Sequence, residues 1–446
     1  MTYNVGMVSL GCDKNRVDAE IMLSILSREG YNLVTDPKTA DVIIVNTCGF
    51  IESAKEESIN TILEMSENKE LGKCKSVIVT GCMAERYKNE LMSEMPEIDA
   101  IIGTGTYRQI AEIVKKTLSG ETGIINTGEI NYDLDYEKRI LSTPSHYGYV
   151  KIAEGCNNNC SYCIIPKLRG RFRSRSMESI VKEVNDIVDQ GVKEIILVAQ
   201  DTTKYGIDIY GEKRLPKLIA ELEKIENLKW IRIMYSYPED VTDELIDTIA
   251  NSPKACKYFD IPIQHISDNV LKSMRRTTSK EEILNLITKI KTRIPNAIIR
   301  TSLIVGFPGE TKDDFEELRS FIKMNLLDRV GIFTYSPEEG TVAANLENQI
   351  EENIKESRKN TLMQLQSSNS LENNKKLIGE VFEVLIEGKS DNNQYYGRTY
   401  QDAPGIDQNI YVNSESKLKL GDFVNVEVKK AYTYDLIGDV YNESSK

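Results

Sequence analysis

The chain has 446 residues, 40% of them hydrophobic and 28% charged, with a formal net charge of −13. That length exceeds one ordinary core and predicts two to four domains. It contains no run of about 20 apolar residues, so no membrane span is expected, and eight cysteines in so long a chain are not a disulfide scaffold.

The N-terminal residues lack a basic segment and enter a strand-like run, which argues against a secretion signal and for a reducing cytoplasm. Val5 to Leu10 reads as a strand, ended by Gly11-Cys12. Val17, Ile21, Ile25 and Leu26 recur at helical spacing, predicting a helix from Val17 to Arg28 that Gly30 stops. Val42 to Val45 is a continuous apolar run, as in a parallel strand covered on both faces, and leads into Asn46-Thr47-Cys48-Gly49. A helix over about 54–64 follows, then a strand over 76–80 ending in Gly81-Cys82-Met83, a helix over 84–95 and a fourth strand at Ala100 to Ile102. This is an open parallel α/β sheet. Cys12, Cys48 and Cys82 each follow a strand directly. The C-terminal ends of parallel strands share one edge, so three thiols distant in sequence are expected to meet there. Cys74 does not share this placement and reads as incidental.

Residues 1–120 are thus expected to form the first domain. Residues 121–141 are polar, weakly periodic and expected to be a connector. A strand over 147–152 then opens the central domain, expected over 142–372, and leads through Glu154-Gly155 to Cys156-Asn-Asn-Asn-Cys160-Ser-Tyr-Cys163. Three soft ligands on one loop suit an iron–sulfur cluster, zinc or copper(I). Structural zinc usually takes a fourth protein ligand, and only His146 is near. A 4Fe-4S cluster held by three cysteines keeps one iron open for a ligand. The basic run from Lys167 to Arg175 could serve an RNA, a cofactor carboxylate or internal salt bridges.

Five further strands are predicted at 194–199, 230–234, 258–263, 297–305 and 329–335, with helices between them. Six βα units predict a partial six-stranded barrel, whose chemistry belongs at the C-terminal strand ends. Gln200, Gln264 and His265 fall at such ends, as does Gly306-Phe-Pro308-Gly309-Glu310, whose backbone N–H groups are expected to cradle a polar cofactor group. His265 is expected to orient a hydrogen bond and not to act as a base. Charged, helical residues over 345–374 precede five short strands, which predict a small β-barrel over 373–446. That module has nine Lys and Arg against twelve Asp and Glu. An acidic module suits a basic protein partner better than RNA, with Asp402 and Asp407 as candidate contacts.

The Cys156-x3-Cys160-x2-Cys163 stretch resembles the cluster motif of radical S-adenosylmethionine enzymes. The whole chain resembles the methylthiotransferases, on stretches such as Val8-Ser-Leu-Gly-Cys12-Asp-Lys-Asn15, Asn46-Thr-Cys48-Gly-Phe-Ile51, Ile261-Pro-Ile-Gln264-His265 and Tyr335-Ser-Pro-Glu-Glu-Gly-Thr341. It is most similar to the branch that modifies an aspartate of a ribosomal protein. Asp13 stands where many relatives carry Pro.

The resemblance implies two 4Fe-4S clusters, one on Cys156, Cys160 and Cys163 and an auxiliary one on Cys12, Cys48 and Cys82. It implies S-adenosylmethionine bound near Gly306, Pro308, Gly309, Glu310, Gln200 and Gln264, and a C-terminal module called TRAM. It also implies a two-part reaction. One S-adenosylmethionine donates a methyl to sulfur at the auxiliary cluster. Another is cleaved reductively to a 5′-deoxyadenosyl radical that opens the β-carbon of an aspartate in the twelfth small-subunit ribosomal protein. The implied partners are that basic protein, free or within the ribosomal subunit, a reduced flavodoxin or ferredoxin type electron donor and a sulfur donor. A cytoplasmic monomer is expected. The alternatives are a tRNA methylthiotransferase acting beside the anticodon, or a non-enzymatic iron–sulfur scaffold or RNA-binding adaptor.

Overall fold

A computed structural model describes residues 3–132, 134–392 and 394–441. The N-terminal sheet has six parallel strands in the order Asn32–Val34, Asn4–Ser9, Val42–Thr47, Ser76–Gly81, Ala100–Ile102, Ile124–Asn126. Every residue of Val42–Thr47 and Ser76–Gly81 is buried, as a sheet with both faces covered requires. The two outer strands were not expected. Three residues show no period, and pairing alone defines them. The expected connector over 121–141 accordingly begins with Ile124–Asn126, which extends the sheet. The Ile110–Leu118 helix was also missed.

Two helices differ from expectation for local reasons. The first begins at Asp13 and not at Val17. Its opening turn carries Lys14, Asn15 and Asp18, all buried. This polar face packs on the second domain, so hydrophobic period misplaces its start. The helix expected over 84–95 is two, Cys82–Arg86 and Lys88–Glu94, broken at Tyr87 with φ −122° and ψ 31°.

The central domain has six parallel strands taken in chain order. Tyr147–Lys151, Glu194–Val198 and Trp230–Ile233 form one sheet, and Tyr258–Asp260, Ile298–Val305 and Arg329–Thr334 another. The two halves join where Ile231 bridges Ala255 and Ser236 N–H donates to Asp260 O at 2.8 Å. The result is the expected partial six-stranded barrel. Its helices start where the sequence places oxygen caps, at Ser176, Thr242, Ser279 and Thr311, each accepting a backbone N–H of its first turn. Strand residues Ile195, Leu197, Ile231, Ile233, Phe259, Leu303 and Val305 pack outward under those helices.

The 25-residue helix Glu352–Lys376 leads to a closed five-stranded barrel, Val381–Lys389, Tyr395–Arg398, Asn409–Asn413, Asp435–Val440 and Phe423–Ala431 in sheet order. This module sits against the N-terminal ends of the central strands. Arg398 and Arg232 both bind Glu194, at 2.6 and 2.7 Å, and the Trp230 and Phe423 rings meet edge to face at 4.9 Å. Asp402 and Asp407, expected as partner contacts, are spent in this joint. Asp402 pairs with Arg329 at 2.8 Å, and Asp407 accepts from the Tyr258 hydroxyl at 2.6 Å. The module's exposed acids, such as Glu380, Glu383 and Asp391, are interspersed with exposed Lys389, Lys419 and Lys429. Net charge counted along the chain did not reveal that its most promising carboxylates face inward.

Candidate functional site: two cysteine sets at one junction

The strands ending at Ser9, Thr47 and Gly81 are immediate neighbours, with Ser9 opposite Asn46 and Thr47 opposite Gly81. Cys12, Cys48 and Cys82 therefore leave one edge of the sheet side by side. A Cβ on Gly11 would lie 2.8 Å from Cys48 Cβ and 3.1 Å from its sulfur, and one on Gly49 would lie 2.7 Å from Met83 Cα. The loops touch so closely that glycine is required at both places. Burial pushes the Cys82 thiol up to about 11, against the pull of Arg169, and Cys12 and Cys48 add to the rise. Cys48 is also raised, first by burial and then by Cys12. The three sulfurs thus feel one another.

The second set leaves the barrel's first strand. Cys156 N–H donates to Gly170 O at 3.1 Å, and Cys163 N–H to Cys160 O at 3.1 Å. Ser161 ties the loop to the chain near residue 274 through its N–H to Met274 O and its hydroxyl to Ser273 O. Burial pushes Cys156 up to about 11 and Cys163 up to about 12, with the neighbouring cysteines adding to each. Arg276 stacks on Tyr237 at 4.3 Å and reaches within 3.9 Å of Cys160 Sγ. His146 lies at the opposite, N-terminal end of the strand and pairs with Glu387 at 3.1 Å, which removes it as a fourth ligand.

Both sets fit the iron–sulfur clusters implied by their chemistry. Each offers three neighbouring thiols, buried at Cys82, Cys156 and Cys160, half-buried at Cys48 and Cys163 and exposed at Cys12, and a bound metal would supply the positive charge that favours their thiolates. Among the described residues, no three His, Cys, Asp or Glu side chains converge as ligands of a single metal ion. A cubane places its thiolates on different irons, and so asks for a wider spread than one ion does.

The two sets face one junction. Cys82 and Phe50 pack with Ile164 and Leu168, which directly follow the Cys163 loop. Arg169, 3% exposed, donates to Asp18 and to Asn15 Oδ1 at 2.9 Å on the N-terminal helix. Lys151 binds Asp18 at 2.5 Å and Glu154 at 2.6 Å. Burial pushes the Glu154 carboxyl up, but Lys151 and Arg169 outweigh it and hold the group well below the usual range. Arg139 similarly ties Glu20 to Glu183, at 2.7 Å from the latter. The basic run is divided: Arg169 and Arg175 are buried in ion pairs, Arg173 is half-buried, and Lys167, which donates to Gly340 O, and Arg171 are exposed. The sequence reading left this run open and missed Asp18, Glu154 and Lys14. Polar residues at buried helix positions were the available signal.

The Gly306–Glu310 loop differs from expectation. Glu310 turns its carboxylate back to accept the N–H groups of Gly306 and Phe307, and Gly309 N–H donates to Asn348 O at 3.0 Å. Arg358 braces the Glu310 carboxylate at 2.9 Å. The cradle of free N–H donors is thus spent on the loop itself, because Pro308 has none to give and the glutamate is the nearest acceptor. Gln200 donates to Glu154 at 2.6 Å, and its buried carbonyl oxygen has no partner among the described residues. Gln264 sits at a strand end with φ 70°, and Tyr235 at another with φ 60°. Such strain in non-glycine residues is typical of functional edges. His265 is fully buried, accepts from Ser267 N–H at 3.0 Å, and is driven down to about 3 by burial. It stays neutral, as an orienting group and not a base.

Comparison with known proteins agrees with this geometry. Residues 150–322 match the model of the radical SAM superfamily, 378–440 the TRAM domain, and 4–103 a family described as uncharacterized protein family UPF0004. Solved structures similar in fold include the radical S-adenosylmethionine methyltransferase TsrM from Kitasatospora setae, with TM-score 0.56 at 15% identity, covering 74% of this chain and 73% of that one. Another is the cobalamin-dependent S-adenosylmethionine radical enzyme OxsB, with TM-score 0.51 at 14% identity over 81% of this chain and 56% of that one. Barrel, cysteine loop and C-terminal module together define a radical SAM enzyme with a TRAM domain.

Much nearer in sequence is the ribosomal protein uS12 methylthiotransferase RimO of Clostridioides difficile (strain 630), 53% identical with 98% of this chain and 99% of that protein covered. The RimO proteins of Clostridium acetobutylicum, with 99% of each chain covered, and of Thermoanaerobacter sp. (strain X514), with 98% and 99% covered, are each 51% identical. The chain belongs to the RimO family of radical SAM methylthiotransferases. No helix among the described residues is long and apolar enough to cross a membrane.

Proposed function

We propose that the chain methylthiolates the β-carbon of an aspartate in ribosomal protein uS12, with Cys156, Cys160 and Cys163 holding one 4Fe-4S cluster and Cys12, Cys48 and Cys82 another. The observation that carries this reading is the meeting of two three-thiol sets at one domain junction. The clusters with S-adenosylmethionine supply the radical that breaks an unactivated C–H bond and the sulfur and methyl that replace the hydrogen. The chain's own work is placement. Arg169, Lys151, Asp18 and Glu154 lock the N-terminal helix to the barrel, so the two sets keep a constant separation. The Ile164 and Leu168 side chains against Cys82 limit water near the junction.

Gln200, with its unpartnered carbonyl oxygen, and Gln264, held by its backbone to Ser302 and Ile304 with no hydrogen bond to its side-chain amide among the described residues, are the proposed polar contacts of S-adenosylmethionine. Gly306, Pro308, Gly309 and Glu310 form a braced wall beside them. A low-potential flavodoxin or ferredoxin type donor and a sulfur donor complete the proposed partners, and the cytoplasm is the proposed compartment. Domain limits of 142–372 and 373–446 belong to the same reading, while the first unit runs past residue 120 to take in Ile124–Asn126.

The test is anaerobic incubation of the reconstituted chain with uS12, S-adenosylmethionine and reductant, read by mass spectrometry. A methylthio group on the aspartate is the expected product. Cys82→Ala should remove the iron of one cluster and the product, and Cys156→Ala should also abolish 5′-deoxyadenosine. Transfer to tRNA and not to uS12 would overturn the reading.

A further inference from the structure

Five basic side chains stand where the barrel mouth meets the cysteine sets. Lys151 and Arg169 are paired to Asp18 and Glu154, Lys204 to Asp201 and Asp240, and Arg276 to Glu239. Lys14 alone of the five has no carboxylate within ion-pair distance among the described residues. It is only 7% exposed. Its ammonium makes one long hydrogen bond, 3.5 Å to Ala199 O, and lies 3.5 Å from the centroid of the Tyr235 ring.

A lysine ammonium has three donors and no acceptor, and a buried one without an anion is costly. Its direct contacts are a carbonyl at the limit of hydrogen bonding and one ring. Burial opposes the charged form, but Tyr235, Cys12 and Asp13 are near enough to favour it, so the ammonium is present and still has no carboxylate paired to it. The position is telling. Lys14 lies two residues from Cys12, on the helix that the domain junction clamps. Ala199 and Tyr235 lie at the C-terminal ends of the barrel's second and third strands. Tyr235 is held there at φ 60°, with its N–H on Asp260 Oδ2 at 2.9 Å. The ammonium is thus fixed from both domains, between the chemistry of one and the strand ends of the other.

We infer that Lys14 is a substrate-recognition residue whose ammonium takes the side-chain carboxylate of the target aspartate. The inference rests on the reading that an aspartate of uS12 is the substrate, and adds what selects it. A carboxylate seated on Lys14 supplies an anion that no described side chain provides as an ion pair, and brings the adjacent β-carbon to the helix start that follows Cys12 and the strand ends that carry Ala199 and Tyr235. It also rejects asparagine at the same position, because a neutral amide leaves the ammonium uncompensated. Tyr235 holds the lysine chain in place through its ring face.

The test compares binding of recombinant uS12 with that of uS12 whose target aspartate is replaced by asparagine, by calorimetry on the cluster-loaded full chain without reductant. The unsubstituted chain should prefer the aspartate form by about 10- to 100-fold, as for a buried charge-assisted contact. Lys14→Met should bring that ratio close to one, and Lys14→Arg should keep most of it. Iron content and the optical spectrum of each variant report whether the clusters and fold are intact. A preference for aspartate that survives in Lys14→Met with iron retained overturns the inference while leaving the proposed function standing. If Lys14→Met loses its iron and Cys12→Ala loses the preference for aspartate to the same extent, Lys14 is assigned to cluster assembly, and the inference is also overturned. If the unsubstituted chain methylthiolates no uS12 at all, the functional reading fails, and the inference with it.

Discussion

Gly11 shows how narrowly the auxiliary cysteines are placed. It has φ +83°, and any Cβ there would press on Cys48 at 2.8 Å. Gly11→Ala must pay for a left-handed backbone, about 1 to 2 kcal/mol, and must also move Cys48. We expect a modest drop in melting temperature but a large loss of iron from one cluster, measurable as iron per chain after reconstitution. Full iron loading in the variant would show that the contact does not set cysteine placement. The cysteines themselves were legible from sequence, because each follows a strand end. Lys14, Asp18 and Glu154 were not. Lys14 and Asp18 look like solvent-facing helix residues, and Glu154 like a turn residue, until the two domains meet over them.

Whole elements carry the junctions. Glu194 opens the barrel's second strand and meets Arg232 of the third and Arg398 of the C-terminal module, all fully or almost fully buried. Burial pushes this carboxyl up, yet Arg398 and Arg232 together hold it below its ordinary 4.5. A depressed folded value means the ionised pair stabilises the fold above about pH 4.5 and that this contribution fades as pH falls through the lower folded value. Glu194→Gln leaves the arginines without that charge, at a cost of about 3 to 5 kcal/mol near neutrality. The gap in melting temperature between the two proteins should be full at pH 6 and should narrow below about pH 4.5. A gap unchanged down to pH 3.5 would contradict the ion-pair account. Helix starts at Ser176, Thr242, Ser279 and Thr311 are fixed by caps within their own first turns, although hydrophobic period places two of them late, at Glu281 and Asp313. The strands Asn32–Val34 and Ile124–Asn126 were not, because only their neighbours define them.

At the scale of the molecule, three units are bolted together by buried charge. Asp402 belongs to the bolt between the C-terminal module and the barrel. Removing it strands Arg329 beside the joint. Asp402→Ala should therefore lower stability by roughly 3 kcal/mol, seen in denaturant unfolding, with the affinity of folded protein for uS12 unchanged. Weakened binding at full stability would restore the role first read from composition. The sequence by itself determined the order of the three units, the six barrel strands and the two cysteine sets. These follow from hydrophobic period and from residue spacing, which are properties of neighbours along the chain. Only the tertiary structure decided which partner each charge meets. Asp402 and Arg169 proved to be joints, the Glu310 carboxylate closed the loop expected to be open, and Lys14 emerged as the mouth cation without a carboxylate. A charge acquires its role from the partner that folding brings to it, and such partners lie up to hundreds of residues away, as Arg398 does from Glu194.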